Sequence, residues 1–209
     1  MDGCEFTKMS LDLSFLLATL AFIVPMCFTP GPNNVLCAAQ GSPYGFQKTL
    51  PLIAGMGVGW SVLGLGIAAG AEFLQENNYI FKILSYIGAI YIAYLGYKVA
   101  SSETVDKNDT SEEHFGFFTG MVLQIVNGKA WIHFVVLMTT FGTLFGTGYG
   151  AKAALVIMNL FFGLTAVLIW AAFGTVLRKT FSEDESNLRI NQIMGLMLIL
   201  VAIWIALPH

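Results

Sequence analysis

The sequence predicts an all-α integral membrane protein with six transmembrane helices, arranged as a 3+3 inverted repeat in which the first helix of each half is broken or kinked. Only 11% of the 209 residues are charged and 56% are hydrophobic, whereas soluble domains carry about 25% charged residues. Six apolar tracts are long enough to cross a hydrocarbon core of about 30 Å, which takes about 20 helical residues. The first apolar tract of each half contains a cluster of residues that interrupts a helix.

Short polar linkers separate the six tracts, which cover residues 11–39, 49–71, 79–99, 115–141, 150–177 and 190–207. The longest linker, residues 101–114 (SSETVDKNDTSEEH), divides one transmembrane domain of residues 1–209 into repeats 1–100 and 115–209. Each half has three spans, so the second half enters the membrane from the opposite face, which is an inverted topology. Six Lys or Arg residues fall on the linker's side and three on the other. This excess predicts that the linker is cytoplasmic.

The first tract is interrupted by the sequence Thr29-Pro30-Gly31-Pro32-Asn33-Asn34. Two prolines within three residues remove two backbone donors and clash with the preceding turn, so a continuous helix is excluded. The backbone groups released by the break cannot face hydrocarbon, where each unsatisfied group costs several kcal/mol. They are expected to face protein, water or a ligand, as the broken helices of secondary transporters do.

Lys129 is a single charge far inside the fourth tract. At 1.5 Å per residue it lies roughly 20 Å from either end of residues 115–141, beyond the reach of a lysine side chain to the membrane surface. A charge at that depth costs about 2.5–3.5 kcal/mol. Asn127 and Gly128 precede it, and Gln124 lies one turn earlier. His133, one turn later, is interpreted either as a buried structural histidine or as a site residue.

The centre of the predicted bundle has a positive field, because no Asp or Glu lies well inside any tract. Lys129 and the N-terminus of any half-helix after a break both favour an anion. A carboxylate on a small solute is the obvious candidate, and the ammonium of a zwitterion is then expected at unwound carbonyls and at Asn33, Asn34 or Asn127. Without intramembrane carboxylates or thiolate clusters, a metal-cation carrier is disfavoured. We predict no metal site and no cofactor.

The net charge of −3 and the absence of a basic block give no indication of nucleic-acid binding. Cys4, Cys27 and Cys37 have no CxxC spacing, so buried, unreactive thiols are the simplest interpretation. Small residues four apart in the second tract, at Gly55 and Gly59 and again at Gly66 and Gly70, predict close helix packing.

Three motifs resemble the LysE/RhtB family of amino-acid exporters. The family's first-span motif resembles Thr29-Pro30-Gly31-Pro32-Asn33, and its third-span pattern is similar to residues 88–97 (GAIYIAYLGY). Its fourth-span Asn-Pro-Lys motif is matched by Asn127-Gly128-Lys129, with glycine in place of proline. The doubled Asn33-Asn34 and the run Gln124-Ile125-Val126-Asn127 are similar to the branch of that family that exports cysteine and O-acetylserine.

The resemblance implies a secondary exporter of small amino acids or their derivatives in the bacterial inner membrane, coupled to protons, and not an enzyme. Cysteine, O-acetylserine, homoserine and threonine are the candidate substrates. A homo-oligomer is compatible with the sequence. Two other classes are weighed: a membrane thiol–disulfide electron carrier, which lacks a cysteine in the second half, and a non-transporting scaffold subunit. The predicted substrate-binding residues are Pro30, Gly31, Pro32, Asn33, Asn34, Gln124, Asn127 and Lys129.

Overall fold

A computed structural model describes residues 13–76, 78–101, 114–180 and 184–206. These residues form eight α-helices and no β-strand. In chain order they are α1 (Leu13–Phe28), α2 (Pro32–Tyr44), α3 (Phe46–Glu76), α4 (Asn78–Ala100), α5 (Phe117–Val126), α6 (Gly128–Thr140), α7 (Tyr149–Thr180) and α8 (Asp184–Ala206). The prediction of an all-α fold is confirmed. Most of the polar linker 101–114 lies outside the described residues.

Two of the described helices are long and apolar enough to cross a membrane, within Phe46–Gly70 and Tyr149–Thr180. Two bent pairs, α1 with α2 and α5 with α6, raise the number to four if each pair is one span. The remaining predicted tracts coincide with α4 and α8, and the apolar stretch described in α8 is the shorter Leu188–Ile203. The count of six spans and the inverted repeat stay predictions.

Both predicted breaks are present in the backbone. The axes of α1 and α2 differ by 43° across Thr29–Gly31, and those of α5 and α6 differ by 63° across Asn127. Pro32 occupies the first turn of α2, where its missing N–H removes no helical hydrogen bond. Asn127 is extended (φ −84°, ψ 99°), and its side chain accepts a hydrogen bond from the Lys129 N–H. An asparagine cap therefore ends one half-helix and starts the next, although proline is absent.

The two broken segments run antiparallel through the bundle. Gln40, near the end of α2, donates from Nε2 to the Phe115 carbonyl at 2.9 Å and accepts from the Phe115 N–H at 2.7 Å. This contact places the last turns of α2 beside the residue that leads into α5. At the other end, the rings of Phe15 and Phe22 on α1 lie 5.9 and 5.4 Å from the ring of Phe141, which follows α6. The bundle thus has an α2/α5 end and an α1/α6 end.

Three helix pairs meet through a glycine on each partner: α2 with α7 (Gly41, Gly174), α3 with α5 (Gly55, Gly120) and α4 with α8 (Gly96, Gly195). A Cβ added to any of these six glycines would lie 2.8 Å or less from a backbone carbonyl oxygen of the other helix. Such contact allows backbone-to-backbone packing at small residues. Glycine pairing therefore holds together helices from opposite halves of the chain.

The packing predicted for the second tract is confirmed for one glycine pair and wrong for the other. Gly55 faces the Phe117 carbonyl and Gly59 faces Met121 and Gln124. A Cβ added to Gly66 or Gly70 meets no described atom within 4 Å. Instead, Gly70 has non-helical dihedrals (φ −126°, ψ 20°) and marks a kink in α3. The spacing is the same in both pairs, but α5 reaches only the first of them.

Two apolar clusters fill the two ends of the bundle. The first surrounds Leu36, Leu52, Leu123 and Leu198 at the α2/α5 end, and the second surrounds Ile23, Phe134 and Leu137 at the α1/α6 end. Trp60 of α3 packs against both clusters. The breaks at Thr29–Gly31 and Asn127 lie between the clusters, so the polar residues of both breaks meet near the middle of the bundle.

Candidate functional site

A cavity of about 430 Å³, including the space at its mouth, lies between the two apolar clusters. Its wall is formed by the end of α1, the first turns of α2 and α6, Trp60 of α3, and Asn159 and Gly163 of α7. Elements from both halves of the chain therefore enclose one chamber.

Lys129 connects the two breaks. Its Nζ donates to Thr29 Oγ1 at 3.0 Å and lies 3.4 Å from the Thr29 carbonyl oxygen. Gly31 leaves room for this side chain, because a Cβ there would lie 3.1 Å from Nζ and 3.2 Å from Cδ of Lys129. The half-buried Lys129 and the proline-rich break thus share one chamber, as the sequence predicted.

The carbonyl groups at the end of α1 are satisfied by the protein itself. Asn34 Nδ2 donates to the carbonyls of Cys27 at 2.8 Å and Thr29 at 2.9 Å. Trp170 Nε1 donates to the Phe28 carbonyl at 3.3 Å. The released carbonyls were predicted to face protein, water or a ligand, and in the structure protein groups donate to them. The Asn34 side chain is 4% exposed and acts mainly as a cap for α1.

An amide network holds the two breaks together. Asn33 Nδ2 donates to Gln124 Oε1 at 2.9 Å, and Gln124 Nε2 donates back to Asn33 Oδ1 at 3.1 Å and to the Gly120 carbonyl at 3.1 Å. Asn127 Nδ2 is 3.4 Å from Asn33 Oδ1. Gln124 and Asn127 are 0% and 1% exposed. Reciprocal bonds between the half-buried amide of Asn33 and the buried amide of Gln124 fix the position of one break relative to the other.

Two helix N-termini open on the chamber. Gly31, Pro32, Asn33 and Asn34 at the start of α2 line it, as do Lys129 and Ala130 at the start of α6. The first-turn N–H groups of α2 have no acceptor within their own helix, whereas in α6 the N–H groups of Lys129 and Ala130 are bonded to Asn127. Both N-termini carry a partial positive charge. Together with the Lys129 ammonium they make a chamber that favours an anionic group.

Five of the eight predicted site residues line the chamber: Gly31, Pro32, Asn33, Asn34 and Lys129. Gln124 and Asn127 lie behind that wall and hold Asn33 and the first turn of α6 in place. Pro30 is exposed and is not part of the lining. The structure therefore separates residues that form the wall from residues that support it.

Comparison with known proteins agrees with this arrangement. A family model described as LysE type translocator matches residues 24–208. The chain belongs to this family. The curated relatives of this translocator include a cysteine/O-acetylserine efflux protein of Salmonella choleraesuis and another of Salmonella typhimurium. Each is 29% identical over 190 residues, which cover 90% of this chain and 95% of the relative.

The cysteine/O-acetylserine efflux protein of Escherichia coli (strain K12) is 26% identical over 192 residues, covering 91% of the translocator and 96% of the relative. No solved structure matches the chain. These relatives are efflux proteins, which fits a chain with long apolar helices and a polar central chamber.

The lining residues of the translocator's chamber that the predicted set omitted include Cys27, His133 and Asn159. His133 was left open between a structural role and a site role, and it lines the chamber with its Nε2 2.7 Å from Asn159 Oδ1. Asn159 is the only Asn or Gln in the tract 150–177. This isolated amide could have identified Asn159 as a site residue, because such a group is costly in a membrane without a polar partner.

Both described cysteines of the translocator are free thiols in different surroundings. Cys27 Sγ lies 3.7 Å from Asn159 Oδ1 at the chamber, and Cys37 Sγ lies 3.7 Å from Met56 Sδ inside the first apolar cluster. No group of three or more His, Cys, Asp or Glu able to hold a metal occurs within the described ranges. The polar chemistry of the chamber is that of amides, one ammonium, one imidazole and one thiol.

The Asn33–Gln124 pair predicts a non-additive loss of stability. Gln124→Leu leaves the Nδ2 group of the half-buried Asn33 without its acceptor, so we expect a loss of about 1–3 kcal/mol. Asn33→Leu combined with Gln124→Leu should cost less than the sum of the single changes, by about 0.5–3 kcal/mol. Thermal unfolding of the purified protein in detergent measures each effect.

Gln40→Leu is the matched control, because Gln40 bonds to Lys48 and Phe115 and shares no hydrogen-bond partner with Gln124. Gln40→Leu combined with Gln124→Leu is expected to be additive. If the Asn33 and Gln124 changes are additive as well, the two breaks are not coupled through these amides.

Proposed function

We propose that this translocator is a secondary active exporter of small neutral amino acids or their derivatives across the bacterial inner membrane, driven by the proton gradient. Cysteine and O-acetylserine are the first candidate substrates, with homoserine and threonine next. Relatives named for cysteine/O-acetylserine efflux that cover nine-tenths of the chain support this proposal. The linker 101–114 is proposed to be cytoplasmic, in agreement with the excess of Lys and Arg on its side.

The observation that carries the proposal is the position of Lys129 in a chamber entered by two helix N-termini. Two of the three ammonium hydrogens have acceptors on Thr29, so one hydrogen is left for a ligand. A substrate carboxylate placed there receives a charge-assisted hydrogen bond and the favourable field of α2 and α6. This binding compensates for a cation that is otherwise costly at the centre of a span.

The predicted residues then take two kinds of role. Gly31 and Pro32 open the backbone, while Lys129 and the first-turn N–H groups of Asn33 and Asn34 bind the carboxylate. Gln124 and Asn127 hold these groups in position through Asn33 and the Lys129 N–H. Pro30 contributes by ending α1, since it lies between the two half-helices.

The arrangement of the bundle supports alternating access. Broken segments that run antiparallel on either side of one chamber are what an inverted 3+3 repeat would produce. At the α2/α5 end, the chamber is closed by glycine-to-backbone contacts and by the two hydrogen bonds between Gln40 and Phe115. At the α1/α6 end, the closure uses side-chain rings. We propose that rocking of one half against the other opens these two ends in turn.

Transport by the purified protein tests the proposal. Proteoliposomes loaded with a panel of labelled amino acids are expected to release cysteine, O-acetylserine, homoserine or threonine faster than protein-free liposomes. An imposed proton gradient should accelerate release, and an ionophore that collapses it should remove the acceleration. If no amino acid in the panel leaves faster than from protein-free liposomes, amino-acid export is rejected. If release is unaffected by the gradient, the proton coupling alone is rejected.

A further inference from the structure

Asn159 presents an unused hydrogen-bond donor to the chamber. The residue lies in the middle of α7, is 3% exposed and forms part of the chamber wall. Its Oδ1 makes both polar contacts of the side chain, with His133 Nε2 and Cys27 Sγ. Its Nδ2 has no hydrogen-bond acceptor among the described residues. Buried amide groups almost always have partners in native structures, so an NH₂ group left free at a cavity indicates a ligand.

The orientation of this amide is fixed by its neighbours. His133 Nε2 and Cys27 Sγ approach the same terminal atom of Asn159, at 2.7 and 3.7 Å. In the tautomer of His133 with its proton on Nε2, the imidazole and the Cys27 thiol both donate to Asn159 Oδ1, so the NH₂ group points away from both. The His133 ring is held by a stacked contact with Phe22 at 5.2 Å and an edge contact with Phe134 at 5.5 Å. The imidazole therefore acts as a positioning residue for Asn159.

The position of Asn159 relative to Lys129 defines the group that it binds. Lys129 and His133 are one turn apart on α6, about 6 Å along the helix axis, and Asn159 contacts the latter. A carboxylate at Lys129 therefore leaves the Asn159 NH₂ facing the side-chain end of a small amino acid. A donor at this position needs an acceptor oxygen, and a hydroxyl or an ester carbonyl provides one.

We propose that Asn159 determines specificity by donating a hydrogen bond to a side-chain oxygen of the exported amino acid, with His133 orienting its amide. This inference rests on the proposed function, since it names the substrate class that the same chamber prefers. Amino acids with a hydroxyl or ester oxygen are bound in preference to isosteric amino acids with an apolar side chain. A site built around a hydrogen-bond donor discriminates strongly against a ligand that leaves the donor unpaired.

Isosteric substrate pairs test this preference. Homoserine against norvaline and threonine against valine differ in an oxygen but little in shape, and efflux of each is measured from proteoliposomes containing the purified full chain. The native protein is expected to export the oxygen-containing member about ten times faster or more. In Asn159→Leu the ratio should fall toward one, because efflux of the hydroxylated member drops while that of the apolar member is kept or raised.

Variants of the neighbouring residues separate positioning from direct binding. His133→Leu should lower the ratio, whereas His133→Gln, which keeps an N–H donor for Asn159 Oδ1, should retain more of it. Asn191→Leu is the matched control, because Asn191 is an equally buried asparagine on α8 that does not line the chamber. It is expected to leave the ratio unchanged.

The outcomes distinguish this inference from the proposed function. If the native protein exports both members of each pair equally, or if Asn159→Leu keeps the native ratio, the specificity role is wrong while export stands. Equal loss of both members in a folded Asn159→Leu protein also overturns it, in favour of a purely structural role. If the native protein exports no amino acid, the proposed function itself fails. A shift of the unfolding temperature by homoserine but not by norvaline would then still report binding at Asn159.

Discussion

Lys129→Met is expected to lower export by about one to two orders of magnitude while leaving membrane insertion intact or improved. The change removes the ammonium that we propose binds the substrate carboxylate, and a hydrogen bond to a charged group contributes about 1.5–3 kcal/mol. At 1.4 kcal/mol per factor of ten, the efflux rate at low substrate concentration should fall about 10- to 150-fold. Insertion should not suffer, since a charge at the centre of a span costs about 2.5–3.5 kcal/mol. Proteoliposome efflux and the yield of folded protein are the two measurements.

Lys152→Met is the matched control for this experiment. Lys152 lies in the first turn of α7, with its Nζ 3.5 Å from the Ala68 carbonyl, away from the chamber lining. The same chemical change there should keep export close to the native rate. Export by Lys129→Met at the native rate would remove the lysine from the mechanism, even if the chain remains an exporter.

Gly55→Ala is expected to lower the unfolding temperature sharply, although it adds one methyl group. The new Cβ would lie 1.8 Å from the Phe117 carbonyl oxygen, so α3 and α5 must move apart. Overpacking of this kind costs about 1–3 kcal/mol. At about 2–4 °C per kcal/mol for a chain of this size, the midpoint should fall by up to roughly 10 °C. Thermal unfolding in detergent, followed by loss of the monodisperse peak in gel filtration, measures the change.

The control lies on the same helix. Gly66→Ala adds the same methyl group where no described atom lies within 4 Å of the new Cβ. Alanine is more favourable than glycine inside a helix by about 0.5–1 kcal/mol, so the midpoint should stay unchanged or rise slightly. If both variants unfold at the same temperature, the contact of Gly55 with α5 does not contribute to the stability of the bundle.

Features of the breaks could be predicted because they follow from local chemistry. Two prolines around Gly31 exclude a continuous helix in any surroundings, and the break is found at Thr29–Gly31. Lys129 is a single charge inside an apolar tract, and this observation by itself predicted a polar site that includes the first break. A break was also predicted in the first tract of the second half, and it lies at Asn127. Each of these predictions depends on a few consecutive residues and on the properties of a membrane.

Contacts between distant residues could not be predicted in the same way. Asn34 is a predicted substrate-binding residue and lines the chamber, and the structure adds that its side-chain amide caps the carbonyls of Cys27 and Thr29. Cys27 was interpreted as an unreactive buried thiol, and it lines the chamber beside Asn159. The role of a buried amide depends on which groups the tertiary fold brings within 3 Å, and neighbouring residues in the sequence do not specify them.

The sequence by itself determined the all-α class, the two helix breaks and the isolated lysine, because hydrophobicity, proline geometry and the cost of a buried charge act within a single segment. Only the tertiary structure decided that α5 packs against Gly55 rather than Gly66, that Gln124 supports the chamber from behind, and that His133 and Asn159 form part of its wall. These features depend on helix pairing, and glycine spacing or a lone amide is compatible with several pairings until the whole bundle is assembled.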